Sequence, residues 1–179
     1  NFPYYIDHMT ALGYVKDVDW IEELITVPTD EKIIQRWEKL SDFVLKRNHL
    51  HIVEPKNRLA YLPLLKPFFN LVNVAYAPLY GTVDLTEQQI RKYSSKFAPL
   101  INPNTTCFVM DKNDRMIAFG VGAPSLAVAM QKHRGRLFPT GWVDVLKAFR
   151  KNDTVDLLLI AVHPDYQARG VNAIILSKT

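Results

Sequence analysis

The residues best placed to do chemistry follow the most apolar stretch of the chain. Thr154-Val155-Asp156-Leu157-Leu158-Leu159-Ile160-Ala161-Val162 is a nearly continuous hydrophobic run, the pattern of a strand buried on both faces. His163-Pro164 stops it, and Asp165-Tyr166-Gln167-Ala168-Arg169-Gly170 leads into Val171-Asn172-Ala173, with a helix expected to start near Gly170. A turn running into a helix N-terminus aims several unpaired N–H groups in one direction, and the helix dipole adds positive potential. Such a place suits a pyrophosphate. Gly170 lets the backbone approach without a Cβ, and Arg169 offers a charge-assisted contact. The strand end adds backbone amides that can pair with an extended, amide-bearing ligand as another strand would.

Other catalytic signatures are absent. The sequence holds no GxxxxGK[ST], HExxH, CxxC or GxSxG. Gly120-Val121-Gly122-Ala123-Pro124-Ser125 is a broken dinucleotide fingerprint with serine in place of its third glycine. Pro124 spoils the strand–turn–helix context that fingerprint requires.

The Val162–Ala173 stretch resembles the acyl-CoA-dependent N-acetyltransferases of the GNAT superfamily. Their central motif is a strand ending in V-x-P-x-[YF], followed by [QR]-x-x-G-x-[GA] opening a helix. Val162, Pro164, Tyr166, Gln167 and Gly170 stand at the matching places; the last small residue is replaced by Asn172, with Ala173 one position later. That departure widens the turn without removing its backbone donors. From about Leu50 onward, about 130 residues follow the family's order of strand, two helices, three strands and motif. Ala75-Tyr76-Ala77-Pro78-Leu79-Tyr80-Gly81 and Gly135-Arg136-Leu137-Phe138-Pro139 further resemble a bacterial group of large GNAT-like proteins.

The resemblance implies an α/β (α+β) fold: a mixed, mostly antiparallel GNAT-type sheet flanked by helices, incomplete at the C-terminus. It implies acetyl-CoA or another acyl-CoA as co-substrate, without a metal, and an amine acceptor attacking the thioester directly in a ternary complex. The N–H near Ile160 would face the thioester carbonyl and stabilise its developing oxyanion. Val162 would pair with the pantetheine amides, and Ala161, Gln167, Ala168, Arg169, Gly170, Val171, Asn172 and Ala173 would complete the cofactor contacts.

Amide formation also needs a route for the amine's proton. Asp156, four residues before Ile160, is expected on the same strand face, where some family members place a general base. An aspartate at a strand start also serves as a solvated or capping group. Tyr76, Tyr80 and Thr82 lie on or near the loop that borders the acceptor in the family, though plain packing accounts for them too. Tyr4 and Tyr5 lie on an N-terminal helix analogous to the one that carries the family's acid. His163 is expected to be exposed, Cys107 to be a small buried hydrophobe, and Trp37 and Trp142 to anchor the core.

Around these residues the elements are expected as follows. Phe2 to Leu12 reads as a short helix closed by Gly13, and Tyr14 to Val27 is rich in strand formers. Ile33, Ile34, Trp37, Leu40, Val44 and Leu45 have helical spacing over 31–47 and should line a buried face. A short strand follows at about 50–53, then an apolar helix over 61–76 with Pro63 and Pro67 near its start. Thr86 and Gln89 form a capping box opening a helix to about Phe97. Strands over 105–110 and 116–121 flank the turn Asp111-Lys112-Asn113-Asp114, and helices are expected over 125–133 and 142–149.

At 179 residues with 48% apolar and 22% charged composition, the chain has an ordinary globular profile. A single cysteine excludes an internal disulfide and a cysteine-based zinc site. No apolar run approaches the roughly 20 residues that span a bilayer, so a cytoplasmic protein with no membrane partner is expected. The net charge of +4 is spread out, and Lys132, His133, Arg134 and Arg136 read as a solvated loop rather than a nucleic-acid site. Homo-oligomerisation stays open. Residues 1–27 are expected to end a preceding GNAT-like copy, 28–48 to form a linking helix, and 49–179 to be the N-terminal part of a GNAT-like acyl-CoA-binding domain. The competing expectation is a non-catalytic acyl-CoA-binding or scaffolding domain of a tandem protein.

Overall fold

A computed structural model of the chain describes residues 2–55, 58–97 and 102–178. In chain order it contains α1 (Tyr4–Ala11), α2 (Glu31–Asn48), β1 (His51–Val53), α3 (Leu62–Tyr76), α4 (Glu87–Phe97), β2 (Thr106–Met110), β3 (Met116–Pro124), α5 (Ala127–Lys132), α6 (Gly141–Arg150), β4 (Val155–Val162) and α7 (Val171–Lys178). The strands form one antiparallel sheet in the order β1-β2-β3-β4, a mixed α/β architecture as expected.

Local chemistry explains most boundaries. Asp30 caps α2 by accepting from the Lys32 amide at 2.8 Å, and His49 closes it in the left-handed region at φ 54. The capping box forms: the Thr86 amide donates to Gln89 Oε1 at 2.8 Å, and the Gln89 amide donates to Thr86 Oγ1 at 3.3 Å. Pro63 stands in the first turn of α3, whereas Pro67 stands inside it. In the β2–β3 turn, Asp111 Oδ1 accepts from the amides of Asn113 and Arg115 at 2.8 and 3.0 Å.

The sheet is covered on both faces. Tyr61 and α3 residues Leu65, Phe68 and Phe69 pack on Phe108, Phe119 and Ala161. On the opposite face, Val44 of α2 and Val171, Ile174 and Ile175 of α7 pack on Cys107, Val109, Ala118 and Val162. Cys107 is 2% exposed, as a small buried hydrophobe should be. Among the described residues, no helix is long and apolar enough to cross a membrane, and no group of three or more His, Cys, Asp or Glu could hold a metal ion.

Four expectations about elements fail. Residues 14–27 form no strand and lie exposed, because strand propensity measures fit to a pleated, half-buried surface and no ladder partner reaches them. The apolar stripe of α2 is buried only at Val44, while Ile33, Ile34, Trp37 and Leu40 stay accessible. Trp37 and Trp142 are 42% and 46% exposed and anchor no core; the Trp142 indole N–H donates instead to the Pro139 carbonyl at 3.0 Å. Finally, β4 is buried at Ala161 and Val162 but exposed over 155–158, since it is the outer strand of the sheet.

Candidate functional site

The site is built where β4 runs out of the sheet and into α7. The N–H of His163 donates to the Ile117 carbonyl at 2.7 Å. Backbone groups along an antiparallel strand alternate between neighbour and edge. Ile160 and Val162 therefore turn their N–H and C=O groups away from β3, towards the open side of the sheet. Both outward carbonyls are taken. Tyr76 Oη donates to the Ile160 carbonyl at 3.0 Å, and Gln167 Nε2 donates to the Val162 carbonyl at 3.1 Å. What the edge offers a ligand here is two N–H donors.

The turn beyond β4 adds more donors. Pro164–Tyr166 form a single 3-10 turn, Ala168 and Gly170 adopt left-handed conformations at φ 59 and φ 82, and α7 starts at Val171. A concavity of about 290 Å³ is lined by Val162, Tyr166, Gln167, Ala168, Gly170, Val171 and Asn172. Six of these are expected cofactor residues; the seventh, Tyr166, belongs to the motif. Ile160 and Ala161 lie on the strand below, Arg169 is exposed at the rim, and Ala173 is buried behind the first turn of α7. Outward strand amides beside a helix N-terminus can hold a ligand with hydrogen-bonding carbonyls at one end and negative charge at the other.

The reason for Gly170 differs from the expected one. A Cβ there would meet Val44 Cγ2 of α2 at 3.2 Å, and φ 82 already disfavours a side chain. The glycine is required by helix packing and backbone conformation, whatever approaches from outside.

Asp156 also departs from expectation. Val121 pairs with Leu159 but Gly122 pairs with Leu157, which leaves Leu158 as an extra residue in β4. One inserted residue inverts the two-residue alternation. Asp156 therefore shares the α3 face with Leu159 and Ala161, whereas Ile160 packs against the α2–α7 side. The carboxylate is exposed and does not stand on the Ile160 face.

Among the expected acceptor-side residues, Tyr76 alone reaches the strand. Burial pushes its phenol above the ordinary value. Thr82 Oγ1 donates within the loop, to the carbonyls of Tyr76 at 2.7 Å and Leu79 at 2.8 Å. Tyr80 is exposed, and the nearby Asp17 side chain raises its phenol. Tyr4 and Tyr5 stack on each other on the exposed α1.

His163 is not the exposed side chain expected of it: its side chain is 18% exposed, with Nδ1 accepting from the Asp165 amide at 3.3 Å. In the basic cluster Lys132, Arg134 and Arg136 are exposed, as a solvated loop requires, and only His133 is half-buried. Asp144 Oδ2 accepts from Lys132 Nζ at 2.7 Å and lies 2.8 Å from Nε2 of His133. These two hydrogen bonds hold the Asp144 carboxyl well below the ordinary carboxylate value.

Sequence reasoning missed the Leu158 bulge, the two side chains on the outward carbonyls, and Asp111. The Asp111 carboxylate lies 3.6 Å from Arg115 Nε, and Arg115 Nη2 stands 3.9 Å from Asp165 Oδ2 in the turn beyond β4. An aspartate opening a hairpin turn was the available signal for Asp111. The bulge has no signal, because every residue from 157 to 162 is apolar.

No protein-family model matches the chain. The chain is similar to "Protein YghO" of Escherichia coli (strain K12), 25% identical over 179 residues that cover 97% of this chain and 44% of that protein. It thus spans less than half the length of that relative.

Proposed function

We propose that the chain carries an acyl-CoA site of the GNAT type and serves N-acyl transfer to an amine. The carrying observation is the pair of outward N–H donors at Ile160 and Val162, beside the concavity at the N-terminus of α7. In this reading Val162 pairs with the pantetheine arm, the Ile160 N–H faces the thioester carbonyl, and the amides of 168–172 with Arg169 receive the phosphates. Acetyl-CoA or a longer acyl-CoA supplies the activated acyl group. The amine nitrogen attacks the thioester carbon, the C–S bond breaks, and the amine's proton leaves through a carboxylate or water. Tyr76, Tyr80 and Thr82 border the acceptor. Asp156 is the base offered by this strand, reached from the α3 face rather than from beside Ile160.

One observation favours a second reading, a non-catalytic acyl-CoA-binding domain: the Leu158 bulge turns Asp156 away from the Ile160 face. Calorimetry with acetyl-CoA and desulfo-CoA, followed by thiol release with a panel of amines, separates the two. Binding with release supports transfer, binding without release supports the second reading, and no binding rejects both. The blocking variant is Asn172→Glu, at an exposed position in the first turn of α7. A glutamate there suits the helix dipole and repels phosphate, so folding is kept while binding falls. A side chain at Gly170 would instead strike Val44.

A further inference from the structure

Helix α6 carries an apolar stripe on the side turned to water. Trp142, Leu146 and Phe149 recur at the spacing of one helix face, and all three are exposed. Asp144 stands about 200° around the helix from Trp142 and holds the opposite side of α6 to Lys132 and His133. Arg150 and Lys151 follow at the C-terminal end of the stripe, both exposed. Lys147 lies 3.7 Å from Asp144, whereas Arg150 and Lys151 have no ion pair among the described residues. An apolar stripe left on water marks an interaction surface, and free cations at its rim select an acidic partner.

The chain itself supplies a segment of that chemistry. Residues 14–27 are exposed throughout and carry four carboxylates against one lysine. Lys16 pairs with Asp19, whereas Glu22 and Glu23 have no ion pair among the described residues. Trp20 with Leu24 and Ile21 with Ile25 stand four residues apart, so a turn of helix would gather these four on one side and Glu22 and Glu23 on the other. A segment this short does not hold helix alone in water, and no regular structure forms over 14–30.

We propose that two copies of the chain exchange this segment, residues 14–27 of each docking on α6 of the other. Trp20, Ile21, Leu24 and Ile25 cover the stripe, and Glu22 and Glu23 meet Arg150 and Lys151. A single chain leaves both halves of the contact open to water, so neither is used within it. Reciprocal exchange about a two-fold axis satisfies both at once and closes on itself. The contact shares no residue with the concavity before α7, so it stands or falls independently of the coenzyme A reading.

Sedimentation equilibrium of the whole chain over a wide range of concentration tests this. A reversible monomer–dimer equilibrium is expected, weakening as salt is added. Glu22→Lys with Glu23→Lys, and Arg150→Glu with Lys151→Glu, should each weaken self-association by about tenfold or more, because like charges then face each other. All four positions are exposed, so the fold is kept, which circular dichroism checks. Mixing the two variants restores every opposite-charge pair and should return the wild-type affinity. Leu146→Ser, also at an exposed position, should weaken the dimer at low and high salt alike. A wild-type chain that stays monomeric at every concentration overturns the proposal. So does a dimer indifferent to either charge reversal, which uses another face, and so does a mixture of the two variants that fails to pair.

Discussion

The phenol of Tyr76 donates to the carbonyl of Ile160 at 3.0 Å, across 84 residues of sequence. That bond ties the end of α3, and the loop over 77–82 that follows it, to the outer edge of β4. It also removes the one acceptor that Ile160 presents outward. The edge at this point is therefore a donor, the polarity that a developing oxyanion requires.

Tyr76→Phe deletes the donor and leaves the Ile160 carbonyl without its partner. The loss is expected to be about 1–2 kcal/mol, or a melting point lower by about 3–6 °C for a domain of this size. Thermal denaturation followed by circular dichroism measures it. A melting point equal to wild type would mean that water replaces the phenol and the tie has no structural weight.

How much of this was legible beforehand depends on what each feature rests on. The capping box at Thr86 and Gln89, the Asp111 turn and the burial of Cys107 follow from local chemistry and were readable residue by residue. The strand and turn leading into α7 were legible too, because Pro164 and Gly170 punctuate them. Residues 14–27 misled because propensity describes a surface waiting for a partner, and the sequence names no partner. The facing of Asp156 was illegible for a different reason. An all-apolar run carries no alternation, so a single extra residue at Leu158 reverses the face without leaving a trace.

The α2–α7 contact makes Gly170 a sensitive position. Gly170→Ala adds a Cβ 3.2 Å from Val44 Cγ2 at φ 82, and should destabilise by about 1–3 kcal/mol. Urea denaturation of Gly170→Ala and of Gly170→Ala with Val44→Ala separates the two causes. If the crowding matters, the valine truncation costs less in the alanine background than in wild type. Equal costs in both backgrounds would assign the whole effect to backbone conformation.

Asp144 sets an acid limit. Its carboxyl is held below the ordinary value by hydrogen bonds from Lys132 and His133, so the folded state binds its proton less readily than the unfolded chain. The stabilisation is present above the unfolded value of 3.8 and is lost as pH falls through the lower folded value. Asp144→Asn removes it at every pH. Acid titrations followed by the fluorescence of Trp142, on the same helix, should show wild type ahead at neutral pH and the gap closing as the solution is acidified. A gap that stays constant would mean that the carboxylate's charge has no part in holding α5 to α6.

Cys107 sets the alkaline counterpart. Burial pushes its thiol from 9.0 up to about 12, because a thiolate between the sheet and α7 would be desolvated. A raised folded value contributes stability that is complete below the unfolded value and lost as pH rises towards the folded one. At about pH 10 the unfolded chain ionises its thiol while the folded chain does not, which costs about 1.4 kcal/mol. Urea denaturation at about pH 8 and pH 10 should show that loss in wild type, and a smaller one in Cys107→Ala, which has no thiol to ionise and starts from a lower stability because it leaves a cavity. The same burial makes reaction with a thiol reagent wait on opening of the sheet, so the native labelling rate should follow the urea dependence of unfolding. Fast labelling without denaturant would place the thiol at the surface and remove the basis for both expectations.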